Sequence, residues 1–332
     1  MITMRMRPST AATLAVILAF GIGFRLGRAG TARTARTPFE RNSGGFSFIQ
    51  PLLDCAPQDG SFQEILPVKR DLEVAIAEEV KAGNVSQVSV YYRNLNLGPW
   101  LGIEQEARFA PASLLKVPLM MAYLKLAEED PSLLSRRAVY QEQPIGFPQL
   151  IEPEVKLKAG KEYTVEEYLE AMIARSDNQA AYLLLTHLAP ERLQQAYNGL
   201  GLKAPEAKSP TDWITVHEYA SFFRILYNAT YLNRQMSEKA LSLLSRSTFK
   251  QGLVGGVPGQ TTVSHKFGER REEGTDMKQL HDCGIVYHPR SPYLLCMMSR
   301  GRDLQTMLAV LRSLSAAVWK DVDAQTRPGS RS

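Results

Sequence analysis

A chain of 332 residues can fold as one large domain or two small ones, and 44% hydrophobic with 22% charged residues excludes collagenous, low-complexity and disordered classes. The net charge of +5 suggests a polyanion partner only until it is located. Residues 1–41 hold Arg5, Arg7, Arg25, Arg28, Arg33, Arg36 and Arg41 against Glu40, a balance of +6 that leaves about −1 for the rest, so the basicity belongs to a leader and no nucleic-acid groove is expected.

That leader, residues 1–36, carries the apolar run Ala11–Phe24 behind Arg5 and Arg7, the charged n-region and short core of an export signal or an N-terminal membrane anchor. The run is short for a full span, and no clean Ala-x-Ala site follows it. An extracytoplasmic domain, secreted or membrane-anchored in the periplasm or at the cell surface, is the expectation. Residues 37–67 are polar and aperiodic and read as a tether, within which Phe46–Leu53 forms an extended segment docking on the domain.

A helix is predicted near Leu66–Lys81, with Leu72, Val74, Ala75 and Val80 as its apolar face. Two strand-like runs, Val85–Tyr92 and Gly98–Arg108, are joined as a hairpin. Then comes Ala110-Pro111-Ala112-Ser113-Leu114-Leu115-Lys116, opening a long apolar helix to about Glu128. A serine at a helix N-terminus lies in the positive end of the dipole, and a lysine three residues on shares its face. In a buried cleft that lysine loses its proton readily and can serve as base to the hydroxyl. The spacing alone is cheap: Ser247-Thr248-Phe249-Lys250 repeats it.

Residues 138–163 read as extended. Thr164-Val165-Glu166-Glu167 is a capping box that opens a helix, broken at Arg175-Ser176-Asp177-Asn178 and resumed to Leu188. Helices follow at Glu191–Asn198, from the capping box Thr215–Glu218 to Tyr227, and at Ser237–Arg246. A glycine-rich loop leads to strands Thr261–Phe267, Leu280–Tyr287 and Tyr293–Ser299, then a helix Leu304–Trp319 and a disordered tail, 321–332. This order predicts an α+β fold: an antiparallel sheet of about five strands from both chain ends, packed with helices, and an inserted helical lobe.

The three cysteines, Cys55, Cys283 and Cys296, permit one disulfide without choosing it. No Cys-x-x-Cys occurs, and five scattered histidines argue against a metal site.

Three motifs stand in order: Ser113-x-x-Lys116, Ser176-Asp177-Asn178 and Lys266-Phe267-Gly268, the last at a strand end. With them, and with the strand His281–Tyr287, the chain over about residues 68–320 resembles the penicillin-recognising serine hydrolases, most closely the class A β-lactamases. The resemblance implies a β-lactamase/transpeptidase-like fold and a serine hydrolase without cofactor or metal, acting as a monomer on a β-lactam or a D-alanyl peptide. Ser113 would attack the amide carbonyl to give an acyl-enzyme, Lys116 would take its proton, and Ser176 would relay a proton to the leaving nitrogen. Asn178 would hold the substrate amide and Lys116. Lys266 would supply positive field for the substrate carboxylate, and the backbone N–H groups of Ser113 and Glu269 would form the oxyanion hole. Phe267 and Gly268 complete the substrate-binding strand.

Two departures stand out. Phe267 replaces the family's hydroxyl residue, removing one hydrogen bond to the substrate carboxylate. The Glu-x-x-Leu-Asn pattern that carries the deacylating glutamate is absent: Leu202 reaches Thr211-Asp212-Trp213 through a short loop, Lys203–Pro210, whose only acid is Glu206, while Glu166 belongs to a capping box. Slow deacylation is therefore expected. The competing readings are a D,D-peptidase on cell-wall peptides, which the missing glutamate favours, and a non-catalytic membrane-tethered binding module, which Phe267 favours.

Overall fold

The computed structural model describes residues 44–51, 66–96, 98–145, 149–153, 155–199, 201–202 and 211–327. The leader, most of the tether, Cys55 and the loop 203–210 with Glu206 lie outside them. All described residues belong to one compact unit within residues 39–332, and no helix among them is long and apolar enough to cross a membrane.

Five strands form the central sheet: β1 (Gln87–Asn94), β2 (Trp100–Ile103), β7 (Val263–Arg271), β8 (Lys278–Val286) and β9 (Tyr293–Gly301). Their order is β2-β1-β9-β8-β7, antiparallel throughout, so strands from both ends of the chain meet in one sheet as the element order predicts. Alternation divides the apolar side chains between two cores. Val88, Val90, Tyr92, Tyr293, Leu295 and Met297 join α1 (Leu66–Lys81) and α8 (Leu304–Thr326) on one face. Tyr91, Leu294, Cys296 and Met298 meet the helical lobe on the other.

The expected hairpin forms, with Val90 opposite Ile103 and Arg93 opposite Trp100. Its second run is interrupted at Glu104, whose φ of 45° turns the chain. The remainder becomes β3 (Arg108–Phe109), which pairs with β6 (Ile214–Thr215) instead. In α1 the apolar face differs from expectation. Val68, Leu72 and Ile76, four residues apart, are buried, whereas Val74 and Val80 are 53% and 41% exposed. The predicted disordered tail is helical through Thr326, because Val322 is buried and Asp323 accepts hydrogen bonds from Arg290 and Arg327.

The lobe comprises α2 (Lys116–Glu129), α3 (Val165–Ala174), α4 (Asn178–His187), α5 (Pro190–Asn198), α6 (Val216–Asn228) and α7 (Arg234–Ser245), with the short pair β4 (Arg137–Val139) and β5 (Glu162–Thr164) at its edge. Both expected capping boxes close, Thr164 with Glu167 and Thr215 with Glu218. Helix α7 begins three residues earlier than Ser237 because Asn233 caps it. The segment 46–51 docks as expected. The N–H groups of Ser47, Phe48 and Ile49 all donate to the Glu238 carboxylate, and Ile49 is buried. Cys283 and Cys296, directly opposite on β8 and β9, form a disulfide in the core.

The turn Leu253–Gly256 packs against α8 so closely that a Cβ at Gly256 would lie 2.5 Å from Arg312 O and 2.7 Å from Ala316 N. Backbone cannot give way as a side chain can. Gly256→Ala should therefore cost about 1–3 kcal/mol of stability, read as a lower denaturant midpoint in urea.

Candidate active site

The nucleophile motif lies on a short 3-10 turn, Ala112–Leu115, that runs directly into α2. The turn is held from several sides. Ala110 N–H donates to Gln279 Oε1 at 2.9 Å, and Ala110 O accepts from His281 Nε2 at 3.0 Å, both partners reaching from β8. Burial pushes the His281 imidazole down to about 4, so at neutral pH it is the uncharged ring that donates here. Tyr219 of α6 donates from its hydroxyl to Leu114 O at 3.0 Å. Ala112 itself has a φ of 48°, a left-handed conformation that an alanine adopts only when its surroundings impose it.

Ser176 also has a positive φ, 56°, in the break between α3 and α4. Asp177 caps α4 through Ala180 N–H, which braces the loop and leaves Asn178 on the first turn. Strand β7 supplies the third wall. At Gly268 a Cβ would fall 2.9 Å from Pro111 O and 3.1 Å from Leu114 N, so only glycine lets the strand lie against the nucleophile turn.

These three walls converge on two lysines. Lys116 Nζ lies 3.1 Å from Ser113 Oγ, 2.6 Å from Ser176 O, 3.1 Å from Ser176 Oγ and 2.6 Å from Asn178 Oδ1. Lys266 Nζ donates to Ser176 Oγ at 2.8 Å and to Phe267 O at 2.8 Å. Burial, opposed by the charges of Asp177 and Glu269, brings the Lys116 amine down to about 7. Lys266 has no exposed surface, and burial together with the charge of Lys116 holds it well below the usual lysine range. An uncharged Lys116 has two N–H groups for its two nearest acceptors, Ser176 O and Asn178 Oδ1. Its lone pair is then left for the Ser113 hydroxyl.

Ser113, Lys116, Ser176, Asn178, Lys266 and Gly268 are thus brought together. Phe267 goes elsewhere: its ring stacks on Phe249 at 4.1 Å within the core shared with α8. The second Ser-x-x-Lys is a decoy. Ser247 is buried, and the neighbouring Thr248 is tied to the end of α3 through Ala174 O. Glu166 pairs with Lys239 on the surface. Asp212, at the end of the short loop, bonds Gln279 and Arg300.

Two features had no sequence signal. The Glu269 side chain is 7% exposed, with Oε1 accepting from Leu150 N and Ile151 N at 3.1 and 3.4 Å. In the same segment, Gln149 Nε2 donates to Ser176 O at 3.1 Å. Next to Asn178 opens a cavity of about 260 Å³ lined by Tyr140, Glu142, Gln149, Lys156 and Gln179.

The lysine pair predicts a pH-dependent stability. Between about pH 7 and the ordinary lysine range, the unfolded chain binds a proton at Lys116 that the native protein does not. Stability from this residue therefore rises with pH, and its burial cost is greatest at neutral pH. Lys116→Met should raise the melting temperature at about pH 7, with the gain shrinking toward about pH 10 in scanning calorimetry.

Comparison with known proteins agrees with this geometry. The model of the beta-lactamase enzyme family matches residues 71–322. A beta-lactamase of Streptomyces lavendulae is 26% identical over 235 residues, 66% of this chain and 75% of that protein. Among solved structures, a PBP-A mutant in an acyl-enzyme complex with penicillin G superposes with a TM-score of 0.63 at 22% identity, covering 78% of this chain and 97% of that one. The class A beta-lactamase from Mycobacterium abscessus gives a TM-score of 0.65 at 19% identity, covering 77% and 99%. With the motif order and the family model in agreement, this chain belongs to the beta-lactamase enzyme family, the serine hydrolases that its three motifs point to, and it has the fold of the class A β-lactamases.

Proposed function

We propose that this protein opens the amide bond of β-lactams through an acyl-enzyme on Ser113 and releases the product slowly. The observation that carries this reading is the Lys116 amine, buried, lowered to about 7 and 3.1 Å from Ser113 Oγ. Lys116 takes the Ser113 proton as Oγ bonds to the carbonyl carbon. The N–H groups of Ser113 and Glu269 receive the developing oxyanion. Once it has taken that proton, Lys116 has a third N–H for Ser176 Oγ, which then accepts from both lysines and directs its own O–H outward. That proton goes to the leaving nitrogen as the C–N bond breaks, and the proton held on Lys116 returns to Ser176. Asn178 orients Lys116 and offers its amide N–H to the acyl side chain, which extends toward the cavity beside it.

Deacylation needs a water and a base. The family's Glu-x-x-Leu-Asn pattern is missing from the sequence, Glu166 is paired on the surface and Asp177 is occupied as a cap. This supports a long-lived acyl-enzyme. It equally favours the second reading, a D,D-peptidase whose acyl group passes to another acceptor. For the cellular setting we infer an exported domain. The arginine-flanked apolar run at residues 11–24 supports a signal or anchor, and the buried Cys283–Cys296 disulfide supports an oxidising compartment.

Intact-mass measurement after mixing with a penicillin should show a one-to-one adduct that persists for many minutes and is absent in Ser113→Ala. Rapid clearance of the adduct with drug consumption would overturn the slow-release reading. No adduct, with binding unchanged in Ser113→Ala, would leave a binding module. The acylation rate should rise with pH up to about 7, because only uncharged Lys116 accepts the proton.

A further inference from the structure

The two walls of the cleft are joined across the space between them. Gln143 exchanges two hydrogen bonds with Gln179 on the first turn of α4, N–H to Oε1 at 2.9 Å and Nε2 to O at 2.7 Å. Leu157 is buried in the core of the lobe. Between these two roots the chain leaves the lobe and reaches β7. Gln149 Nε2 donates to Ser176 O at 3.1 Å on the lobe side. The next two residues, Leu150 and Ile151, donate their N–H groups to Glu269 Oε1 on the sheet side, at 3.1 and 3.4 Å. Ile151 also packs against the core that β7 shares with α8. The reacting groups stand between these walls, Lys116 against Ser176 from one side and Lys266 from the other. Residues 149–151 are therefore a strap that bridges the gap the substrate must enter.

The groups beside the strap are unequally covered. Ser113 keeps part of its surface in solvent. Ser176 and Lys266 have none, and Lys116 is 5% exposed. The nucleophile can be approached as the cleft stands. A leaving nitrogen must still reach Ser176 Oγ, and a substrate carboxylate must reach Lys266 Nζ, which is enclosed between Ser176 Oγ and the face of Phe267. On the reading above, in which a β-lactam acylates Ser113, we propose that residues 149–151 are a gate, and that substrate is admitted only while the strap has let go of Glu269 and Ser176.

The catches suit a gate that opens reversibly. Their hydrogen bonds lie at or beyond the long end of the usual range. All three come from consecutive, half-buried residues, so they are released together. Both roots belong to the lobe, which leaves the sheet side as the side that lifts. If only a fraction of molecules is open, acylation is slowed by that fraction for every β-lactam alike, because opening is a property of the protein.

The test measures two rates on the same protein. Amide hydrogen exchange at Leu150 and Ile151 reports opening of the strap. Intact mass reports the second-order rate of Ser113 acylation by a penicillin and by a cephalosporin. Both are compared between wild type and Gln149→Ala, which removes one catch from a half-buried position. Losing that bond should speed exchange at both amides about two- to tenfold and raise acylation by both drugs by the same factor. The pH dependence of acylation should keep its shape, since the Lys116 base is untouched. Acylation that is unchanged or slower while exchange quickens, factors that differ between the drugs, or a shifted pH profile would overturn the gate and leave the acyl-enzyme reading intact. Exchange at Leu150 and Ile151 that is unprotected in the wild type, or unaltered in Gln149→Ala, would do the same. No acylation by either drug in either protein would overturn both.

Discussion

Two lysine amines share one serine hydroxyl, and the rest of the site is arranged around that fact. The Nζ atoms of Lys116 and Lys266 both lie within hydrogen-bond distance of Ser176 Oγ, at 3.1 and 2.8 Å, in an interior that gives neither of them much water. Two ammonium groups cannot coexist there at neutral pH, because each would pay the desolvation of a charge and the repulsion of the other. The fold resolves the conflict by lowering both amines. What would be a liability in a structural core becomes a supply of free base beside a hydroxyl. The acids nearby, Asp177, Glu269 and Asp282, temper the effect without neutralising it by direct pairing.

Holding that arrangement requires a rigid frame. The nucleophile turn is fixed at Ala110 by Gln279 and His281, at Leu114 by Tyr219, and at its back by the bare backbone of Gly268. Left-handed backbone at Ala112 and Ser176 adds strain of about 1–2 kcal/mol at each position. One precedes Ser113 and the other is Ser176 itself, where the surrounding packing over-determines the conformation.

Much of this was legible in the chain itself. Periodicity and caps located most helices, because Thr164/Glu167 and Thr215/Glu218 are local signals with a local cause. The three motifs named residues that the fold brings together, Ser113 with Lys116, Ser176 with Asn178, and Lys266. What escaped was set by tertiary packing. The exposed Val74 of α1 and the buried Ile76 differ only in which neighbour they meet. The pairing of Cys283 with Cys296 follows from the β8–β9 register, which no local pattern encodes. Phe267 reads as a substrate contact by position, yet its ring belongs to the core because Phe249 waits there to stack on it. The Glu269 carboxyl and its anchoring segment had no motif, for their meeting spans more than a hundred residues of chain.

The sheet order carries a consequence for the life of the nascent polypeptide. Strand β1 lies between β2 and β9, and the nucleophile turn at residue 113 rests on strands β7 and β8 from the far end of the chain. A polypeptide still emerging can form its lobe helices early, but not the sheet that seats them. Pairings such as Gln87 with Arg300 must wait until nearly everything has been synthesised. The cluster of Ser113, Lys116, Ser176 and Lys266 therefore comes into being at once and late, and a prematurely terminated copy carries Ser113 without the strands that seat its turn.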